Sequence, residues 1–253
     1  MAEVRLQDLL VAGSHFGHLT RRWNPKMKKF IFMERSGIHI IDLKKTLECL
    51  NSACEEITRV IQAGERALFV GTKKQAKEIV RAEAERCGQY YVTERWLGGT
   101  MTNLVTIKKS AKRLKSLEKM STDGTYDKLA KKEILSLERE REKLERAIGG
   151  IADMHRLPGV LFIVDTKKEA ISVAEARRLN IPIVAILDTN ADPDSIDFPI
   201  PANDDAFKSI GLITQAIAEA VIIGQEGKSI DFNKDEISET PEEPVEKEEK
   251  AEE

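Results

Sequence analysis

The sequence predicts an α/β protein, a parallel sheet covered by helices with a helical hairpin inserted into it. Three observations carry that expectation. Short apolar runs alternate with stretches of helical periodicity, first as residues 68–70, 72–87 and 90–92, then as residues 160–164, 166–179 and 183–187. Each strand-helix-strand unit requires parallel strands joined by a right-handed crossover. Between the units, residues 104–148 change grammar and carry two narrow apolar stripes separated by a turn. The sum is a three-layer body of the Rossmann or flavodoxin-like kind over residues 1–103 and 149–228, interrupted by an antiparallel coiled coil.

The first unit keeps helical spacing through Ala76, Ile79, Val80, Ala82 and Ala84. The second echoes it, with Thr166-Lys167-Lys168-Glu169-Ala170 matching Thr72-Lys73-Lys74-Gln75-Ala76. Threonine followed three residues later by Gln or Glu is a helix capping box, so each helix is expected to open at its threonine. In the hairpin, Ile107, Ala111, Leu114 and Leu117 mark one arm, and Leu129, Ile134, Leu137, Leu144 and Ile148 the other. Ser121-Thr122-Asp123-Gly124 is the turn. Arms this thinly apolar are expected to project from the body, with Gly149-Gly150 as the joint. Residues 207–223 form a last amphipathic helix with Ile210, Ile213, Ile217, Ala220 and Val221 inward.

Charge is unevenly distributed over the 253 residues, whose formal net charge is −3. Residues 229–253 hold 11 acids and 3 bases, which leaves 37 bases and 32 acids in the rest. The body is therefore basic and suits an anionic partner. The tail has too few apolar residues to offset its ordering entropy and is expected to be disordered. Three cysteines, Cys49, Cys54 and Cys87, form no Cys-x-x-Cys pair, which argues against a disulfide framework and for a reducing compartment. No signal peptide or membrane span is expected, so the chain reads as soluble and cytoplasmic.

The candidate sites follow from charge and aromatic placement. Between Gly13 and Lys29 the chain sets Arg21, Arg22, Lys26, Lys28 and Lys29 around Trp23 with no acid among them. Cations can reach phosphates and an indole can stack on a base, a pattern suited to RNA. Arg95 and Trp96, followed by Gly98-Gly99, Thr102 and Asn103, repeat the theme. Lys108, Lys109, Lys112, Arg113 and Lys115 come next, and Lys108, Lys112 and Lys115 share a helix face as a candidate phosphate rail. Lys73 and Lys74 follow a strand and open a helix, where an anion is favoured. His18 with Asp188, Asp204 and Asp205 is a candidate site for a divalent ion, Zn or Mg, although no cofactor is required. No Gly-x-Ser-x-Gly elbow, phosphate loop or dinucleotide fingerprint occurs, so nothing points to an enzyme or a small-molecule substrate. The alternative reading is an α/β enzyme that takes a phosphate-containing substrate at the strand ends near Gly71, Asp165 and Asp188.

Specific strings carry a family resemblance. They are His15-Phe16-Gly17-His18, Trp23-Asn24-Pro25-Lys26-Met27, residues 37–43, residues 68–74, Arg95-Trp96-Leu97-Gly98-Gly99, Thr102-Asn103, Ile181-Pro182, Asp188-Thr189-Asn190, Asp192-Pro193, Ile200-Pro201 and Asn203-Asp204-Asp205. In this order, from about Val4 to about Gly227, they resemble the bacterial small-subunit ribosomal protein 2 family. The resemblance implies a structural constituent of the small ribosomal subunit, bound to ribosomal RNA and to neighbouring ribosomal proteins on the back of the subunit near the messenger RNA exit. It further implies a role in docking the large messenger-binding ribosomal protein and in translation initiation.

Overall fold

The computed structural model describes residues 4–236, with side chains described throughout that range except at 127, 128 and 228–236. The chain opens with a short helix α1 (Leu6–Val11) and then a small antiparallel sheet of β1 (Phe16–Leu19), β2 (Ile31–Arg35) and β3 (Ile38–Ile41), in the order β1-β3-β2. Ser36 and Gly37 join β2 to β3 with φ of 54° and 73°. Two successive left-handed residues make the tight turn whose twist matches a hairpin. Ser-Gly is its signature in the sequence, although the segments on either side lack clean alternation.

Helix α2 (Leu43–Gln62) leads into the main sheet, which contains β4 (Ala67–Val70), β5 (Tyr90–Val92), β6 (Val160–Val164), β7 (Ile183–Leu187) and β8 (Phe198–Pro201). The order is β5-β4-β6-β7-β8 and every pairing is parallel. This is the doubly wound, flavodoxin-like order expected from the two strand-helix-strand units. Strand β8 was not anticipated because Pro199 and Pro201 interrupt its apolar pattern. At the sheet edge, a strand loses little by lacking those two N–H donors.

Every residue of β4, β6 and β7 is buried, and alternate side chains enter two separate cores. Phe69, Phe162, Val164 and Ile186 point to the side covered by α2, by α3 (Lys77–Arg86) and by α7 (Phe207–Glu236). Phe69 and Phe162 meet edge-on at 5.4 Å between ring centroids. Leu68, Val70, Leu161, Ile163 and Ala185 point to the side covered by α6 (Ala170–Arg178) and by the roots of α4 (Leu104–Thr122) and α5 (Lys131–Ile148). Each large apolar side chain so buried contributes about 1.5–3 kcal/mol. The result is three layers with a core on each side of the sheet.

Several expectations are corrected. Helices α3 and α6 open at Lys77 and Ala170, five and four residues beyond the expected threonine starts, and neither threonine forms a capping box. Thr72 and Glu169 bond to each other instead, as described below. Residues 207–227 are long and apolar enough to cross a membrane by length and composition, contrary to the reading above. They are half buried, with Ile210, Ile213, Ile217 and Val221 packed against the body, and so serve as a core helix. Ile107, Ala111, Leu114 and Ile148 are also part of the body's core, so the hairpin is embedded at its root. The disorder expected for the tail falls on residues 229–253, of which 237–253 lie outside the described residues while α7 is assigned through Glu236.

The joint at Gly149-Gly150 has a steric cause. A Cβ on Gly150 would lie 2.3 Å from the carbonyl oxygen of Tyr91. The hairpin root can therefore press directly on β5 only because that position has no side chain.

Candidate nucleic-acid interface and the carboxylate cluster beside it

The N-terminal basic segment is a fixed surface. Asn24 accepts a hydrogen bond from the Lys26 amide, at 3.0 Å, and caps a 3-10 turn over Pro25–Phe30. Met27 and Phe30 of that turn are buried, and the Asn24 amide donates to the carbonyl of Thr189 at 2.8 Å. These anchors leave Arg21, Arg22, Lys26, Lys28 and Lys29 exposed together. Trp23 is half-buried, and its ring lies 4.9 Å from that of His39 at a tilt of 43°. Lys26 already has partners, since its ammonium lies 2.9 Å from Asp192 and 2.8 Å from Asp194. Among the described residues, Arg21, Arg22, Lys28 and Lys29 form no ion pair.

The second Trp-containing segment is organised differently. Trp96 is only 6% exposed, and its indole N–H donates to Glu175 at 3.0 Å. Glu175, buried on α6, also accepts from the amides of Gly99 at 2.7 Å, Met101 at 3.0 Å and Thr102 at 2.9 Å, and from the Thr102 hydroxyl at 3.0 Å. Burial would raise its pKa, but this set of donors outweighs burial and lowers it. The stacking role expected of Trp96 is therefore corrected: it is a core side chain, and its polar edge is used inside the protein. The Thr102 hydroxyl proton is likewise engaged. Arg95 and Asn103 remain exposed on the loop that Glu175 folds.

The lysines divide in the same way. Lys74, Lys109 and Lys112 are exposed, and Lys108 is half-exposed. Arg113 reaches across the hairpin to Glu140 at 2.8 Å, and Lys115 pairs with Asp153. Lys73 is corrected as a contact for an external anion. It lies 2.7 Å from Asp204, 2.6 Å from Asp205 and 3.5 Å from Asp165, with 14% of its side chain exposed.

Those carboxylates surround the candidate metal ligands. Gly17 lets β1 close onto the end of β7, where a Cβ would lie 2.6 Å from the Thr189 methyl. His18 Nδ1 donates to Asp188 at 2.9 Å, which leaves Nε2 3.6 Å from Asp205. Candidate ligand atoms of His18, Asp188 and Asp204 all fall within 4.8 Å of one another. The hydrogen bond to Asp188 raises the His18 pKa against the effect of burial. Burial, and then the charges of Asp188 and Asp165, push Asp204 up to about 7.

The donor chemistry fits a divalent ion. A carboxylate that holds one imidazole nitrogen leaves the other free as a ligand. Tetrahedral zinc would set such a nitrogen and a carboxylate oxygen about 3.4 Å apart, close to the separation here. Among the described residues, the four carboxylates of Asp165, Asp188, Asp204 and Asp205 form ion pairs with Lys73 and His18 alone, so positive charge is in deficit. Lys73 supplies part of that charge from within the chain and would have to yield contacts to an ion.

The crevice between β4 and β6, where the strand order reverses, is the usual ligand site of this sheet type. In this chain it is filled from within. Thr72 donates to Glu169 through both its amide and its hydroxyl, and Lys168 donates to the Thr72 carbonyl at 2.9 Å. Burial raises the Glu169 pKa against those bonds. A substrate at the strand ends would have to displace this lattice.

The family model for ribosomal protein S2 matches residues 9–224, nearly the whole described body. The chain belongs to the ribosomal protein S2 family. It is 57% identical over 219 residues to the small ribosomal subunit protein uS2 of Cytophaga hutchinsonii, covering 87% of this chain and 86% of that one. It is 55% identical over 222 residues to the protein of the same name from Treponema pallidum, covering 88% of this chain and 76% of its relative. The ribosomal protein S2 family is structural and non-enzymatic, and this chain has a structural ribosomal role in translation. The hydrogen-bonded crevice between β4 and β6 accords with that membership.

Proposed function

We propose that this chain is a structural constituent of the small ribosomal subunit in the cytoplasm, bound to ribosomal RNA through its N-terminal basic segment and the loop folded by Glu175. The observation that carries the reading is the pair of buried anchors, Met27 and Phe30, that hold Lys28 and Lys29 outward on a fixed turn directly after the exposed Arg21 and Arg22 of the preceding turn. Cations fixed in advance lose less entropy when they meet phosphates. Trp23 adds a half-exposed indole at the same place. Lys74, Arg95, Asn103, Lys108, Lys109 and Lys112 extend the contact set. Lys26, Arg113 and Lys115 join it by exchanging an internal carboxylate for phosphate. On this reading residues 104–148 act as an arm of the body and 229–253 as an acidic tail.

The same reading includes docking of the large messenger-binding ribosomal protein and support of translation initiation. An exposed apolar sheet face supports it. Cross-strand partners share a face, and the rows Phe16-Ile40-Met33 and Leu19-Ile38-Arg35 put five apolar side chains on one side of the small sheet. Phe16, Leu19 and Met33 are each more than two-fifths exposed. Such a face beside a basic segment fits a site where a protein neighbour and RNA meet. A divalent ion at His18, Asp204 and Asp205 would tie the start of this sheet to the main body.

The test is incorporation into subunits of a variant carrying Arg21→Glu, Arg22→Glu and Lys28→Glu. It should leave the small-subunit fraction of a sucrose gradient, and it should do so at lower salt than the parent chain. Unchanged co-sedimentation would overturn the assignment of this segment.

A further inference from the structure

We propose that the basic face of α4 continues around the root of the hairpin, through His155, Arg156 and Arg66, as one phosphate-binding band for RNA. The inference rests on the RNA-binding reading above and extends its α4 lysines to His155, Arg156 and Arg66, which that reading does not use. Lys108, Lys112 and Lys115 line one groove with His155, between α4 and the turn that follows α5. His155 lines a second cleft with Arg156 and Arg66. Because the two depressions share His155, the six side chains form a continuous surface rather than two patches.

The charges along it are open. Lys112, His155 and Arg156 are exposed, and among the described residues Lys108, Lys112, His155, Arg156 and Arg66 form no ion pair. Two acids line the band, Asp153 and Glu65. Asp153 is 77% exposed, contacts Lys115 and also feels the charges of His155 and Arg66. Against these two carboxylates stand Lys108, Lys112, Lys115, Arg66 and Arg156, which leave the band cationic.

Arg66 is built to hold its position. Its guanidinium stacks 5.2 Å from the centroid of Tyr90 and donates to the Gly88 carbonyl at 3.3 Å. The Tyr90 hydroxyl in turn donates to the Asp153 carbonyl at 3.2 Å, which ties the β5 end to the turn that presents His155. A stacked arginine fixed beside open lysines is suited to a run of phosphates, which are spaced along a backbone rather than gathered at a point. An acidic protein segment is the other polyanion that such a band could take, and the experiment separates the two.

The experiment measures binding of the full chain to small-subunit particles assembled without it, over a series of salt concentrations. A variant with Arg66→Gln, His155→Gln and Arg156→Gln should bind at least tenfold more weakly, with a log-log salt slope smaller by about 2. Arg66 touches the fold, so the double variant His155→Gln with Arg156→Gln is measured alongside and should show a smaller loss in the same direction. Parent-like affinity and slope in both variants, with the parent chain binding normally, would overturn the band and leave the N-terminal interface standing. A parent chain with no salt-dependent binding would overturn the RNA reading itself. Loss of a protein crosslink with RNA affinity unchanged would assign the surface to an acidic protein and also overturn the band.

Discussion

Glu175 on α6 accepts the indole N–H of Trp96 at 3.0 Å, and the same carboxylate gathers three backbone amides of the following loop. One buried anion thus folds the segment from Trp96 to Thr102. All of its partners are donors. Glu175→Gln keeps the shape but puts an amide NH2 against at least two of them. It should cost about 2–3 kcal/mol, the scale of hydrogen bonds to a charged group. Hydrogen exchange should then accelerate at the Gly99, Met101 and Thr102 amides while the β6 and β7 amides stay protected. Uniform loss of protection would show that the carboxylate supports the whole body instead.

The same carboxylate predicts an acid response. Its folded pKa is depressed, so its contribution to stability is complete above the unfolded value and is lost as pH falls through the folded one. The loop should therefore open only at a pH below the ordinary glutamate range. Trp96 emission, followed in a Trp23→Phe background, should shift to the red there, and Glu175→Gln should abolish the step.

The two tryptophans should separate function from stability. Trp96→Ala removes a buried ring and should cost about 3–5 kcal/mol in chemical denaturation. Trp23→Ala should cost far less stability and weaken RNA binding by about 1–3 kcal/mol, the range for a base stacked on an aromatic side chain. Equal effects on stability would remove the distinction between them.

For the carboxylate cluster, a raised acid pKa acts in the opposite sense. Asp204 is neutral more often in the folded chain than in the unfolded one, so its contribution to stability declines as pH rises from about 4 toward about 7. Zinc or magnesium would favour the ionised form and relieve the deficit of positive charge. Added zinc should therefore raise the melting temperature more at pH 8 than at pH 6, and His18→Ala should remove the effect. A shift that persists in His18→Ala would place the ion elsewhere.

Gly150→Ala tests the hairpin root. The added methyl would overlap the Tyr91 carbonyl and should cost about 1–3 kcal/mol by overpacking. A melting temperature within a degree of the parent would show that the root yields freely.

The sequence by itself determined the parallel sheet, because fully buried strands such as Val160–Val164 need unbroken apolar runs and the helices between them need a 3.6-residue period. It also showed the hairpin arms and the cationic segment around Trp23, since both are local patterns. Its signals were weaker where one residue type serves two ends. Ser36-Gly37 marked a hairpin, but the strands beside it lack clean alternation. Pro199 and Pro201 concealed a strand that only its edge position permits. Tertiary structure alone decided which basic and aromatic residues face outward. Trp23 and Trp96 sit in similar strings, yet Glu175, 79 residues beyond Trp96, takes its indole N–H. Thr72 and Thr166 both read as helix caps, until a parallel pairing of β4 with β6 set Thr72 against Glu169. Local periodicity fixes an element because its causes lie within a few residues, whereas the fate of a polar side chain is set by whichever partner the fold brings within about 3 Å.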